Sequence, residues 1–274
     1  MTAGHRNALA VLIAVAALPW SAAARDEVPM ALDRINLSLG GYYASSDALV
    51  RVDGDVRGSD VRLERDVGLA RERTIGRLRL AVLAGDSQGF EIDGYRLRRH
   101  GERSLSRALV YDDATFDVDA RVRGDLDIDF ASVAWRWWVA AGEHDVWGLG
   151  LGGGYYRLRG VLQGDASVNG EATYARTEDS AHAWAPLLEL GWRHAFSPRL
   201  RLYADVAGVE KDWGPVTGHI YNAALGLEWF PWEHLGLGAE YGAQRIVVNV
   251  GRSDFHGHVR LDLDGPSLFA RLRF

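Results

Sequence analysis

The chain closes on Gly265-Pro266-Ser267-Leu268-Phe269-Ala270-Arg271-Leu272-Arg273-Phe274, and the fold is decided by how this stretch is read. Leu268, Ala270, Leu272 and Phe274 share one phase of a two-residue period, while Ser267, Phe269, Arg271 and Arg273 share the other. In a β-strand alternate side chains face opposite ways, so this segment is apolar on one face and mostly polar on the other. A sheet with lipid outside and a polar interior needs that pattern. An ordinary edge strand in a soluble protein is the competing reading, and the rest of the chain decides between them.

At the other end, residues 1–24 begin with His5 and Arg6, continue with the apolar run Ala8 to Leu18 and finish on Ser21-Ala22-Ala23-Ala24. This is the layout of a secretory signal peptide, and the run is too short for a transmembrane helix. Residues 25–32 are then expected as a short periplasmic segment and 33–274 as the folded domain. No later apolar run approaches the 18 or so residues of a helical span. The absence of cysteine excludes a disulfide scaffold. The formal charge of −6 is spread over mixed Arg and Asp/Glu, with no basic block of the kind that binds nucleic acid.

Between the ends, two-residue alternation marks ten candidate strands: 33–44, 74–84, 88–99, 125–140, 146–163, 182–196, 200–210, 218–230, 235–250 and 258–274. Eight and twelve are the neighbouring even counts. The turns near 85, 142, 198 and 232 are short, whereas 45–73, 100–124 and 164–181 are long and polar. The pairs 49–56 with 60–69, and 109–111 with 114–116, read as hairpins standing above the membrane. Trp147 and Tyr155, Trp184 and Trp192, Tyr221 and Trp229 each lie eight residues apart on the apolar face. Eight residues at about 3.3 Å, tilted about 40°, rise roughly 20 Å, close to the height of a barrel's lipid-facing band. These six rings are expected to form two aromatic girdles at the membrane interfaces. The fold class is therefore all-β: a single antiparallel transmembrane β-barrel of about ten strands, with short periplasmic turns and long extracellular loops.

Asp60 to Leu69 (D-V-R-L-E-R-D-V-G-L), Phe230 to Gly238 (F-P-W-E-H-L-G-L-G) and the terminal segment resemble small proteobacterial outer-membrane barrels related to the OmpA transmembrane domain and OmpW. That resemblance implies an outer-membrane location in a Gram-negative cell. It also implies recognition of the terminal strand, with Phe274 as the signal, by the assembly machinery. It implies no cofactor. Unlike OmpA, the chain is expected to carry no peptidoglycan-binding domain after the barrel.

The inward phase places Arg77, Arg79, Arg136, Arg193, Arg201, Arg271 and Arg273 against Glu91, Asp93, Glu189, Asp205, Glu228 and Glu240. In so narrow a lumen the near balance of signs favours a salt-bridged plug, whereas a selective channel favours a ring of one sign. Glycines Gly148, Gly150, Gly152 and Gly154 are expected to let long arginines lie against the wall. The expected role is structural or surface-interacting and non-enzymatic, with a narrow porin-like channel for small solutes as the alternative. Asp112-Asp113 together with Asp254-Phe255-His256 and His258 suggest, more remotely, an omptin-like protease with a water-activating site at the barrel mouth. His256 and His258 have no evident third ligand for a metal. Arg96, Arg98 and Arg99, with Arg103 and Arg107 beyond them, emerge where lipopolysaccharide phosphates lie, so the expected partners are the lipid bilayer and lipopolysaccharide.

Overall fold

The computed structural model describes residues 28–53, 57–111, 114–140, 144–168, 171–252 and 255–274. Signal-peptide residues 1–24 and the acidic pair Asp112-Asp113 lie outside the described residues, as does Asp254. Ten long strands form a closed antiparallel barrel: β1 (Ile35–Asp53), β3 (Glu72–Leu83), β4 (Gln88–Ser104), β7 (Arg121–Ala140), β8 (Asp145–Val168), β9 (Glu171–Ser197), β10 (Leu200–Lys211), β11 (Val216–Trp229), β12 (Leu235–Arg252) and β13 (Phe255–Arg273). Each pairs with its neighbours in the chain, and β13 closes on β1 with Leu37 opposite Leu272 and Leu39 opposite Ala270. Phe274 completes the seam: its N–H donates to the Ile35 carbonyl at 2.8 Å, and the Ile35 N–H donates to its carbonyl at 3.0 Å. Closure leaves no unpaired ladder in the membrane, where an unsatisfied backbone group costs several kcal/mol.

The expected turns at 85, 198 and 232 are tight, but the long connections differ from expectation. The stretch 164–181 is not a loop: β8 and β9 continue their ladder from Asp145 opposite His194 to Val168 opposite Glu171. Likewise Leu49–Asp53 belongs to β1 and keeps pairing with β13 instead of forming a hairpin with 60–69. Only β2 (Val61–Arg62) reaches back to β1, at two positions. Polar composition on the outer face had suggested loops, yet a ladder in water needs a buried inner face more than an apolar outer one. The 27 residues of β9 rise roughly 65–70 Å at about 3.3 Å per residue and 40° tilt, so more than half of that strand stands outside the apolar band.

How the extramembrane half folds is visible in a change of hydrophobic phase. On β7, Val133, Trp137 and Val139 face outward and are exposed, whereas Leu126, Ile128 and Phe130, in the opposite phase, are buried inside. On β13, Leu268 and Leu272 face lipid, while Leu261 and Leu263 turn inward. β1, β4, β8 and β12 make the same switch, placing Val50, Leu97, Leu158 and Ile246 in the interior. Below the switch lipid solvates the outer apolar face. Above it water surrounds the barrel, so the apolar face must turn in to be buried.

Two segments cap this core. After β2 a π-helical turn, η1 (Leu63–Val67), ends at Gly68, whose φ of 78° is the left-handed conformation that glycine adopts without strain. Its own Val67 and the flanking Val61 and Leu69 are buried. The expected hairpin forms as β5 (Leu109–Tyr111) and β6 (Ala114–Phe116), with Leu109 opposite Phe116. It does not stand free, because Leu105, Leu109 and Phe116 are fully buried in the mouth of the barrel.

The six predicted girdle rings fall at two levels. Trp147 and Trp192 pair across β8 and β9 with centroids 6.1 Å apart, and Tyr155 and Trp184 with centroids 5.1 Å apart. Tyr221 and Trp229 continue the two levels on β11 and are exposed. Leu188 lies midway between Trp184 and Trp192 and is exposed on the same face. Leu188→Arg therefore places a charge near the bilayer midplane and is expected to cost about 2–4 kcal/mol. Denaturant titration of the vesicle-inserted protein measures this, and an unchanged midpoint would place Leu188 away from lipid.

Candidate functional site: the layered lumen

The interior is built in three layers. At the periplasmic end residues 28–33 tuck into the barrel instead of hanging free. The Leu32 N–H donates to the Pro29 carbonyl at 2.8 Å, and Ala31 packs on Val146, Ala195 and Trp138. Arg201 pairs with Asp33 at 2.8 Å and also reaches the Leu32 carbonyl. Arg273 lies over Phe230, with its guanidinium carbon 3.8 Å from the ring centre.

Above this floor lies the charge lattice. Arg136 sits at its centre with a side chain 4% exposed, contacting Glu189 at 2.7 Å, Glu91 at 3.0 Å and Asp205 at 3.2 Å. Arg193 makes two 2.9 Å bonds to Asp205, one from each terminal nitrogen. Arg77 holds Asp93 at 2.5 Å and Glu240 at 3.2 Å, while Arg79 reaches Glu240 and, at 3.9 Å, Glu91. Arg271 pairs with Glu228 at 2.5 Å, and the Tyr203 hydroxyl donates to Glu240 at 2.5 Å. All thirteen residues expected in the interior are therefore in or against it, including Arg201 and Arg273, 2.8 and 3.9 Å from Asp33. Asp33 and Tyr203 were missed: one lies at the edge of the first strand and the other is an uncharged ring in the inward phase.

The wall glycines serve a different purpose from the one expected. A Cβ at Gly148 would meet the Trp138 ring, one at Gly154 the Tyr156 ring, and one at Gly150 the Glu189 carboxylate. They admit inward aromatic rings and a carboxylate rather than long arginines. Between lattice and core is a cavity of about 60 Å³, lined by Tyr42, Arg77, Asp93, Tyr95, Phe130 and Gln244. At 10–15 Å³ or more per water centre this is room for a few waters.

The third layer is the capped apolar core. Its polar anchor is Glu64, which accepts the Ala48 N–H at 3.0 Å and Arg99 at 2.6 Å. This corrects the expected lipid contact at Arg99: the side chain is 1% exposed and points into the barrel. The reason is register, since Arg96 and Arg98 occupy the outward phase of β4 and Arg99 the inward one. Arg103 and Arg107 are also engaged in the cap, donating to the carbonyls of Arg65 and Asp60. Arg96 and Arg98 remain exposed on the outer face.

His256 is exposed near the outer rim, and the His258 ring contacts the Asn249 side chain at 2.7 Å. Among the described residues no group of three or more His, Cys, Asp or Glu side chains is placed to hold a metal.

This architecture is that of an outer-membrane β-barrel. Its backbone is similar to that of the outer-membrane protease OmpT from Escherichia coli, with a TM-score of 0.55 over 88% of this chain and 96% of that one at 10% identity. Looser likenesses are to the transport unit of the Escherichia coli autotransporter AIDA-I (TM-score 0.41, 10% identity, covering 88% of this chain and 90% of that one) and to the Pseudomonas aeruginosa outer-membrane protein OprG (0.38, 11%, covering 90% and 99%). No family model and no curated protein sequence matches the chain. At such identities the likeness to OmpT establishes the fold alone.

The cap carries a pH dependence. Burial alone would raise the pKa of Asp66, but bonds from the Arg65 side chain, the Arg62 N–H and Arg107 outweigh it and hold the carboxyl below its ordinary value. A depressed folded pKa gives stability that is fully present above the unfolded value of about 3.9 and is lost as pH falls through the folded one. Pepsin should therefore cleave within 57–69 more readily at pH 2 than at pH 4. Asp66→Asn is expected to be cleaved at pH 4 faster than wild type, and equal cleavage would remove Asp66 from the account.

Proposed function

We propose that the chain is a non-enzymatic integral outer-membrane barrel of a Gram-negative bacterium, exported through residues 1–24. In this reading its lumen is closed and its capped extracellular half is the working surface. The observation that carries this reading is closure at three levels: the floor at 28–33, the Arg136-centred lattice, and the core capped by η1 and the β5–β6 hairpin. The lattice sets seven arginines (77, 79, 136, 193, 201, 271 and 273) against seven carboxylates (33, 91, 93, 189, 205, 228 and 240), so it offers no ring of one sign to select an ion. The lumen carboxylates are engaged by guanidinium or phenol groups, which leaves a water-activating role no evident base there.

Kinship to the OmpA transmembrane domain and OmpW belongs to the same proposal and rests on the segments Asp60–Leu69, Phe230–Gly238 and Gly265–Phe274. Notably, the first of these is the cap, and the other two meet at the periplasmic seam. A porin-like conduit would have to pass all three layers, and an omptin-like protease would draw on residues at the outer rim.

Planar-bilayer recording on the refolded chain separates the readings. The proposal predicts a silent membrane containing folded, heat-modifiable barrels. Discrete, reproducible openings would overturn it in favour of the conduit.

A further inference from the structure

Directly above the outer aromatic girdle, the outward face of β4, β7, β8 and β9 carries a grid of charges set by strand register. One row runs Arg96, Asp129, Arg157, His182, and the next runs Arg98, Asp127, Arg159, Ser180. Both rows continue the phase of Phe90 and Ile92, of Val133 and Trp137, of Leu149 and Leu151, and of Trp184 and Leu188, all exposed to lipid below. The first row is two residues beyond the Tyr155–Trp184 pair. Two residues rise roughly 5 Å along the membrane normal at about 3.3 Å each and 40° tilt, and the second row stands roughly 10 Å up. Long guanidinium side chains there sit at headgroup height.

The arginines of the grid are not all spent on internal pairs. Arg96 is bonded to Asp129, and Arg159 to Glu178 at 2.7 Å. Arg98 and Arg157 are exposed and have no carboxylate within 4 Å among the described residues. On the opposite wall the two levels above Tyr43 and Tyr241 carry Asp47, Glu72, Asp262 and Asp264 against Arg245. Three of those acids are engaged: the Tyr43 hydroxyl donates to Glu72, Tyr241 donates to Asp264 at 2.8 Å, and Arg245 bonds Asp262 at 2.6 Å. So at one height the barrel is basic on the β4–β9 side and acidic on the β12–β3 side.

We propose that the β4–β9 grid is a docking surface for the phosphorylated sugar headgroup of an outer-leaflet lipid, with Arg98 and Arg157 as its principal phosphate ligands. Arg157 and Arg159 lie on a different strand from the arginines the sequence pointed to, and register alone brings the two sets together. A guanidinium fork matches two phosphate oxygens at once, and Arg98 on β4 and Arg157 on β8, separated by two strand spacings of about 4.8 Å each and by one row, suit a headgroup with more than one phosphate. The acyl chains of such a lipid would lie over Val133, Leu151 and Leu188, below the grid. The inference rests on the outer-membrane placement proposed above.

The test is native mass spectrometry on the full-length chain, expressed in a Gram-negative host and extracted folded in detergent. The probes are bis-phosphorylated lipid A and its dephosphorylated form. Wild type is expected to hold the phosphorylated probe about tenfold tighter or more. Arg98→Ala/Arg157→Ala is expected to lose most of that preference, and Arg245→Ala on the acidic wall to keep it. Asp127→Asn, which removes a negative charge from within the grid, is expected to tighten binding, an outcome that misfolding does not produce. Binding that ignores the phosphates, or a double variant that binds like wild type, would overturn the inference. If the chain fractionates with the outer membrane but fails this test, only the docking surface falls. If it does not reach the outer membrane, the functional reading itself falls.

Discussion

Everything in the lower half of this barrel depends on pairing ionised groups in a lumen too narrow for bulk water. A lone buried ion carries a desolvation penalty of several kcal/mol, and a pair recovers it only with good geometry and further hydrogen bonds. Arg136 meets that condition by contacting three carboxylates, and its neighbours Arg193 and Arg79 share the same acids. The wall accommodates this crowding because Gly150 and Gly191 lack side chains where the Glu189 and Asp205 carboxylates and Arg136 come close to the backbone. A lattice of this kind contributes little net stability compared with apolar packing. It makes an interior that is polar in sequence physically closed.

The outer half obeys a different rule. Ile128, Ile246 and Leu261 are fully buried there, and large apolar side chains contribute about 1.5–3 kcal/mol each when removed from water. Cohesion of the extramembrane barrel comes from this core, with η1 and the β5–β6 hairpin covering its open end. The barrel thus behaves as a membrane protein below the Tyr155–Trp184 level and as a water-soluble β-barrel above it. The two parts share strands but have opposite hydrophobic faces.

Much of this was legible in the sequence. The strand positions below the outer girdle, the eight-residue aromatic spacing and the inward charges followed from two-residue alternation, because lipid on one side and a polar lumen on the other leave the pattern unambiguous. The extramembrane strands were harder to read. With Arg96, Arg98, Asp127 and Asp129 facing water, the stretches looked like loops. The overlooked signal was the shift of apolar residues to the opposite phase, from Val133 and Trp135 to Ile128 and Phe130, or from Leu268 to Leu263. Arg99 was misread for the same reason, since one step along a strand separates an outward-facing arginine from a buried one. The cap at Asp60 to Leu69 was less accessible still, because its alternation suits a strand while tertiary burial of Glu64 and Val67 selects a π-helical turn.

The most direct test of the account is the unfolding free energy of Arg136→Met, measured by urea titration of the protein in lipid vesicles. The substitution keeps a chain of similar length but leaves Glu91, Glu189 and Asp205 without their shared cation. A loss of about 3–5 kcal/mol relative to wild type is the result expected for breaking a buried ionic network. A stability equal to wild type would mean that the lumen is wet enough to solvate those carboxylates, and the closed-lattice account would be wrong.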